Sequence, residues 1–351
     1  MMDEDHVGDG RTPRRRGSPP AHLPPRATIG EVADAAGVSR ATVSRVMNGH
    51  SSVDPALAAR VKEAAAALGY EPNGTAQSLA RGRTNLVGIV VPDLENPVFQ
   101  AILRGLSTAA GERDHRVLIA DSHERSDEEP ILAREVRRRC DALVMCAPRM
   151  SDEALIGVTP GLYPVTLVNR RVKHLDVPTV SIDHASGLRA IVHHLTTLGH
   201  RNVAYLGGPA MSAANRERLD ALQATAEGRF ELLEVVAGSR FADGFDAIDR
   251  ILAGGITAVI GYNDLVAYGA LARLHDLGIA VPGDVSITGF DDIPFARHAN
   301  PSLTTVAIPQ EELGREAWNR VWAALAGEPP LADSRFTPQL IVRSSTGPAP
   351  R

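Results

Sequence analysis

The apolar positions of this chain change period along its length. Between Thr28 and Leu68 they recur at helical spacing, whereas from Leu86 onward short continuous apolar runs alternate with amphipathic helical stretches. In the first region Thr28, followed three residues later by Glu31, forms a capping box that satisfies backbone donors at a helix start. Gly37 ends that helix. Ser39 is the N-cap expected for a second helix, whose Val43, Val46 and Met47 face inward. Asp54 as N-cap, Pro55 at the first helical position and Gly69 as the stop punctuate a third helix, with Leu57, Val61, Ala64, Ala65 and Leu68 as its buried stripe. Beyond Pro72, the segment NGTAQSLARGRT sets Ala76, Leu79 and Ala80 on one face of a helix of roughly two turns, too short to outweigh its nucleation cost in water. Such a helix orders only against a partner.

The second region reads differently. LVGIVVP at Leu86, RVLIADS, DALVMCA, VTLV, NVAYLGG at Asn202, ITAVIGY at Ile256 and VSITGF at Val285 are strand-like runs, and helical patterns such as Val98 to Arg113 and Asp127 to Arg139 lie between them. Repeated strand-helix units predict an α/β fold with parallel sheets covered on both faces. Ligands of such sheets bind beyond the carboxyl ends of the strands. The polar residues placed there are Asp93 and Asn96 with Phe99, then Asn169 and Arg170, then Asn263 and Asp264, then Asp291 and Asp292. A sugar needs paired donors and acceptors for its hydroxyls and an apolar face for its C–H surface, and Phe99 is the stacking face in this set. The alternatives are ordinary: Asn263 as a helix cap, Asp291 as the start of a turn, Arg170 as a surface residue beside Arg171.

Charge separates the two regions. Residues 1–84 hold eleven basic and nine acidic side chains, and the rest of the chain 26 and 33, so nucleic-acid contact is expected at the N-terminal end alone. The second helix turns Arg40, Ala41, Ser44 and Arg45 outward, and an arginine fork there can grip the O6 and N7 acceptors of a guanine in the major groove. A helical hairpin with solvated arginines is the plainer reading of the same residues. Cys140 and Cys146 make no disulfide framework and no metal spacing. The histidines His184, His193, His194 and His200 form no ligand pattern either. No cofactor is expected: no dinucleotide or phosphate loop follows a strand, and no nucleophile elbow occurs. Residues 1–26 read as a disordered tail with five prolines and the run Arg14 to Arg16, without an apolar stretch for export or membrane insertion, so a cytoplasmic protein without membrane partners is expected.

The helix-turn-helix, the third helix and the Asn-x-x-Ala-x-x-Leu segment together resemble the LacI/GalR family of bacterial transcription repressors. That resemblance implies a DNA-binding domain over residues 27–72, a hinge helix and linker over 73–84, and an effector-binding and dimerisation domain over 85–351. The last is implied to have periplasmic-binding-protein architecture, with one lobe at about 85–181 and 309–335 and the other at about 182–308 and 336–351. The residues implied to touch DNA are Thr28, Ser39, Arg40, Ala41, Thr42, Ser44, Arg45 and Asn48, together with Asn73, Ala76, Leu79 and Arg81 of the hinge, where Leu79 matches the leucine that wedges into a base step. The residues implied to touch the effector are Asn96, Phe99, Asn169, Arg170, Arg218, Asn263 and Asp291; Arg218 rather than Arg216 aligns with the family arginine before a leucine. The chain departs from the family between Arg218 and Gly238, where it is shorter, which leaves the wall around Phe241 open. The partners implied are a pseudo-palindromic double-stranded operator, a small effector of sugar type, and a second copy of the chain, with a tetramer as the larger alternative. A solute-binding receptor without DNA function and an enzyme on the same fold are the competing classes.

Overall fold

A computed structural model of the chain describes residues 27–48, 53–70 and 82–351, so the tail and the hinge residues Asn73, Ala76, Leu79 and Arg81 lie outside the described residues. The chain divides into two compact units between Gly82 and Arg83.

The first unit contains three helices, α1 (Ile29–Ala36), α2 (Arg40–Met47) and α3 (Pro55–Ala67). Each is capped by the residue its sequence supplies. Thr28 and Glu31 close both halves of the capping box, Ser39 Oγ accepts from Thr42 N at 3.1 Å, and Asp54 accepts from Ala56 N and Leu57 N. Gly37 turns the chain between α1 and α2 at φ +64°, a conformation a side chain would strain. Val32, Ala33, Ala36, Val43, Val46, Val61 and Ala65 form the core. Leu68 is not part of it: the left-handed turn at Gly69 lets Tyr70 N reach back to Ala65 O, Tyr70 packs on the core, and Leu68 is left exposed.

The second unit holds β1 (Leu86–Val91), α4 (Pro97–Gly111), β2 (Arg116–Asp121), α5 (Glu129–Arg137), β3 (Ala142–Cys146), α6 (Asp152–Val158), β4 (Val165–Val168) and β5 (Thr179–Ile182). It continues with α7 (His184–Thr197), β6 (Asn202–Gly207), α8 (Ala213–Ala226), β7 (Glu231–Val236), α9 (Phe241–Ile248), β8 (Ala258–Gly261), α10 (Asp264–Asp276) and β9 (Ser286–Thr288). The last elements are β10 (Thr305–Ala307), α11 (Gln310–Ala326), β11 (Ser334–Phe336) and β12 (Gln339–Ile341). Two parallel sheets result. The first runs β11-β5-β4-β3-β1-β2, the second β7-β6-β8-β9, and β10 with β12 makes a short antiparallel ribbon that the parallel pattern did not predict.

Side-chain alternation explains the layers. Along β1, Val87, Ile89 and Val91 turn to a core shared with α4 and α11, while Val90 joins the opposite core with Leu143, Met145 and Leu155. The four-stranded sheet is treated likewise: Leu206, Val259 and Ile287 pack with α9 and α10, and Val203, Tyr205 and Ile260 with α7 and α8. After β5 the chain leaves the six-stranded sheet for α7; after β10 it returns as α11; and between β11 and β12 it leaves again.

Each sheet carries one helix pair in backbone contact. A Cβ built on Gly105 of α4 would sit 1.8 Å from Glu311 O, and one on Gly314 of α11 would sit 1.9 Å from Ile102 O. Gly244 of α9 and Gly269 of α10 meet in the same way in the other half. Glycine is required at these crossings because the helices touch main chain to main chain.

Candidate functional site

In the first unit the outward face of α2 consists of Arg40, Ala41 and Arg45, all exposed, with Thr42, Ser44 and Asn48 half-buried. Thr42 Oγ1 and Ser39 Oγ are 2.9 Å apart, and Asn48 Nδ2 donates to Ser44 Oγ at 3.3 Å. Arg40 and Arg45 are not equivalent. The Arg40 guanidinium lies against Gly30 of α1, whose added Cβ would meet Nη2 at 3.0 Å, whereas Arg45 stands in the last turn of α2. Arg60 of α3 donates to Ala36 O at 2.6 Å, which ties the C-terminus of α1 to the third helix.

In the second unit a cavity of about 40 Å³ lies between the two sheets. That is room for a few waters, at roughly 10–15 Å³ each, so a pyranose enters only if the halves part. Asn96, Phe99 and Asn169 line it from the six-stranded side, and Arg218, Asn263 and Asp291 from the other. Asn96 and Asn263 reach it because each caps a helix at a strand's carboxyl end: Asn96 Oδ1 accepts from Val98 N at 3.0 Å, and Asn263 Oδ1 accepts from Val266 N at 2.8 Å. Capping and lining are therefore one role here. Asn169 and Asp291 are held at φ +55° and +113°, conformations that L side chains rarely adopt.

Arg170 does not line the cavity. β4 ends at Val168 and Asn169 is left-handed; Asn169 faces the cavity, while Arg170 turns away from it, donating to Met150 O and to Asp152 Oδ1 at 2.6 Å. An arginine does approach from this sheet, but it is Arg149, three residues beyond the end of β3. Its guanidinium forks onto Glu124 through Nε and Nη2 and donates from Nη1 to Ala147 O. The rule that singled out Asn96 and Asn263, polar residues just past a strand, also covers Arg149. Ala214 and Tyr262 complete the walls, while Phe241 is largely exposed and absent from the lining.

Arg218 is the centre of the site. Its guanidinium carbon lies 3.7 Å from the Phe290 ring centroid and 4.9 Å from that of Tyr262. Nη1 donates to Tyr262 O, Nη2 faces Asp291 Oδ1 at 3.5 Å, and Nε donates to His184 Nδ1 at 3.3 Å. Because Nε can only donate, His184 Nδ1 accepts and Nε2 carries the ring proton, which it gives to Asn169 Oδ1 at 2.8 Å. A continuous chain of polar contacts thus runs from Asp291 through Arg218 and His184 to Asn169 on the other sheet. Burial, reinforced by the cations Arg218 and Arg335, holds the His184 pKa well below its usual range, so the ring stays neutral. Burial pushes the Asp291 carboxyl up to about 6 in spite of Arg218. The buried Asp264 carboxyl is likewise held well above its usual range, by burial and then by the charge of Asp291.

Of the other histidines singled out in the sequence, His194 Nε2 is engaged with Thr346 Oγ1 and His200 with Thr257, Ser286 and Gly347, while His193 is exposed. Outside the cavity lining, Arg240 faces Asp93 at 3.6 Å and Glu95 at 3.9 Å. No helix among the described residues is long and apolar enough to cross a membrane.

A capped helix-turn-helix in one unit and a polar cleft between two parallel sheets in the other define a ligand-responsive DNA-binding regulator. Residues 28–73 match the family described as bacterial regulatory proteins, lacI family, and residues 192–346 match the periplasmic binding protein-like domain. The HTH-type transcriptional regulator GalS of Salmonella typhimurium is 34% identical over 326 residues, spanning 91% of this chain and 96% of that one. The HTH-type transcriptional repressor CytR of Escherichia coli is 31% identical over 332 residues, 92% and 97% of the two chains. Among solved structures, the lac repressor dimer bound to operator and the anti-inducer ONPF superposes with a TM-score of 0.80 at 26% identity, over 92% of this chain and all of the other. The CelR–cellobiose complex gives 0.67 at 28% identity, over 91% of this chain. The chain belongs to the LacI family of bacterial regulatory proteins, and it is a DNA-binding transcriptional regulator rather than an enzyme.

Proposed function

We propose that the protein is a cytoplasmic, homodimeric repressor that holds a pseudo-palindromic operator with one helix-turn-helix per half-site and releases or tightens it when a sugar binds between the lobes. The observation that carries this reading is the cavity in which Asn96, Phe99, Arg218, Asn263 and Asp291 converge from two sheets. The GalS and CytR relatives and the cellobiose-bound CelR structure support it. The DNA-binding domain is assigned to residues 27–72, the hinge to 73–84, and the two lobes to 85–181 with 309–335 and to 182–308 with 336–351. Effector binding changes how the lobes meet and hence the spacing of two hinge segments, in which Asn73, Ala76, Leu79 and Arg81 meet the duplex and Leu79 enters the central base step. A coupling of about 1–3 kcal/mol is enough for a 5- to 150-fold change in operator affinity.

The test is operator selection from a random duplex library, followed by anisotropy titration of the full chain with and without a panel of hexoses, pentoses and nucleosides. A selected site without dyad symmetry removes the dimer geometry, and an unchanged titration across the whole panel removes the sugar. Arg45→Ala is expected to weaken the selected site by about 1–3 kcal/mol and to relax discrimination at one base pair of each half-site; uniform loss over all sequences would reduce Arg45 to a phosphate contact.

Asp291 gives a pH signature. Its carboxylate accepts a sugar hydroxyl, so affinity for a neutral sugar is constant above pH 7 and falls as pH drops through about 6, where the carboxylate takes a proton. Calorimetric titration across this range is the check, with Asp291→Asn expected to abolish the slope.

A further inference from the structure

Two glutamates that lie outside the cavity lining converge on Arg149, which lies within it. Glu124 follows β2 and Glu129 opens α5, yet both close on the loop beyond β3. Glu129 holds the backbone: Oε2 accepts from the N–H groups of Arg149 and Met150, both at 2.7 Å, and Oε1 accepts from Ser122 Oγ at 3.2 Å. Glu124 holds the side chain. Its Oε2 accepts from Arg149 Nε and its Oε1 from Nη2 at 2.9 Å, while Nη1 donates to Ala147 O at 2.7 Å. Burial opposes the charge of Arg149, but the hydrogen bonds to Glu124 outweigh it and hold the pKa above its usual range, so the guanidinium stays ionised. Of its five N–H groups, three are placed by these bonds, and the two left belong to Nη1 and Nη2, one each. They sit on a side chain that is only 3% exposed and lines the cavity.

Stability is a poor reason for such a grip, because a buried ion pair stabilises a fold little compared with apolar side chains of the same volume. The backbone around it is strained as well: His123, Glu124 and Ala147 sit at φ +52°, +60° and +44°. Left-handed residues other than glycine gather at ligand sites, where surrounding structure imposes them. What the grip achieves is orientation. With Nε, Nη1 and Nη2 all tied, the guanidinium plane cannot turn, and its remaining N–H groups keep one direction. We infer that Arg149 is a specificity-determining contact, donating to one hydroxyl oxygen of the effector, and that Glu124 is the residue that positions it; this rests on the sugar reading above. Glu124 already neutralises the cation, so the ligand need bring no charge. A ligand without that hydroxyl leaves buried N–H groups unpaired, which is how a site built to bond a hydroxyl rejects a deoxy compound.

Calorimetric titration of the full chain with D-glucose, D-galactose, D-ribose, adenosine and cytidine finds the tightest binder of the set, and its monodeoxy analogues are then titrated against wild type and variants. One analogue is expected to bind wild type at least about tenfold more weakly than its parent, as loss of a bond to a charged donor implies. In Arg149→Ala, and in Arg149→Lys, which keeps the charge but not the fork, that ratio is expected to fall towards one. Glu124→Gln leaves Arg149 in place but removes its charged partner, and is expected to lower the ratio at least about threefold, the order of a charge-assisted bond made neutral. A tie that only braces the loop would weaken parent and analogue by the same factor. Ratios that stay at the wild-type value in every variant, or a wild type indifferent to every deoxy analogue, therefore overturn the inference and leave the sugar reading standing. A ratio lost in the Arg149 variants but kept in Glu124→Gln overturns the positioning role. If urea unfolding shows Arg149→Ala to be unfolded, Arg149→Lys and Glu124→Gln decide. A wild type that binds none of these compounds, with operator binding intact, overturns both readings.

Discussion

Arg218→Ala is expected to abolish effector binding and to remove about 3–5 kcal/mol of stability, the usual consequence of leaving one partner of a buried ion pair alone. Three losses coincide. The guanidinium fills the space between the Phe290 and Tyr262 rings, it is the cation that faces Asp291, and it sets the His184 tautomer that reaches Asn169. Without it the Asp291 carboxyl is buried with no compensating charge, and its pKa rises beyond about 6. The sign of the pH effect follows. An acid whose folded pKa lies above its unfolded value stabilises the fold fully below the unfolded pKa, and that contribution is lost as pH rises through the folded one. The variant's deficit is therefore smaller at pH 5 than at pH 8. Urea unfolding at both pH values measures it, and Arg218→Lys separates charge from shape, because an ammonium restores the cation but not the three-way fork. An Arg218→Ala protein that binds effector normally would take Arg218 out of the site.

The second large effect is expected from Gly314→Ala. Its new methyl would have to occupy the place of Ile102 O, a backbone atom that no side-chain rotation can move. Helices α4 and α11 must then separate, drawing Leu313 and Trp318 away from the sheet they cover. Overpacked cores lose typically about 1–3 kcal/mol and occasionally more, and contact with main chain sets this case at the upper end or beyond. Gly111→Ala is the control. It lies at the end of α4 with nothing within 4 Å of its Cβ, and it should be neutral or slightly stabilising. Equal midpoints for the two variants in urea would mean that the crossing yields without cost.

The parts of this molecule legible in its sequence are those fixed by local chemistry. Thr28 with Glu31, Ser39, Asp54, Asn96 and Asn263 declare helix starts because a short polar side chain must meet specific backbone donors, and the structure has all of them doing so. The apolar runs declare strands because both faces of each sheet are covered. What sequence conceals is direction. Asn169 and Arg170 are neighbours with similar credentials, and only the folded backbone beyond β4, left-handed at Asn169, shows that one faces the cavity and the other Asp152. Leu68 fits its helical stripe, yet Gly69 redirects the chain and Tyr70 packs in its stead. The half-exposed edge strand β7 and the three-residue β10 and β12 are too polar or too brief for periodicity to register. Arg149 was readable from its position past β3, but its charge draws notice only once Glu124, distant in sequence, is seen to hold it.

Both tryptophans of the chain, Trp318 and Trp322, belong to α11 and pack against His115, tilted and edge-on, at centroid distances of 5.1 and 5.7 Å, with Arg113 over Trp322 at 4.5 Å. The half of the domain built on the four-stranded sheet has none. Tryptophan emission, excited at wavelengths that Tyr205 and Tyr262 do not absorb, is therefore a private reporter of one lobe, blind to melting of the other, while far-ultraviolet dichroism samples both. Wherever the two signals part company during denaturation, the gap between them measures how independently the halves come undone.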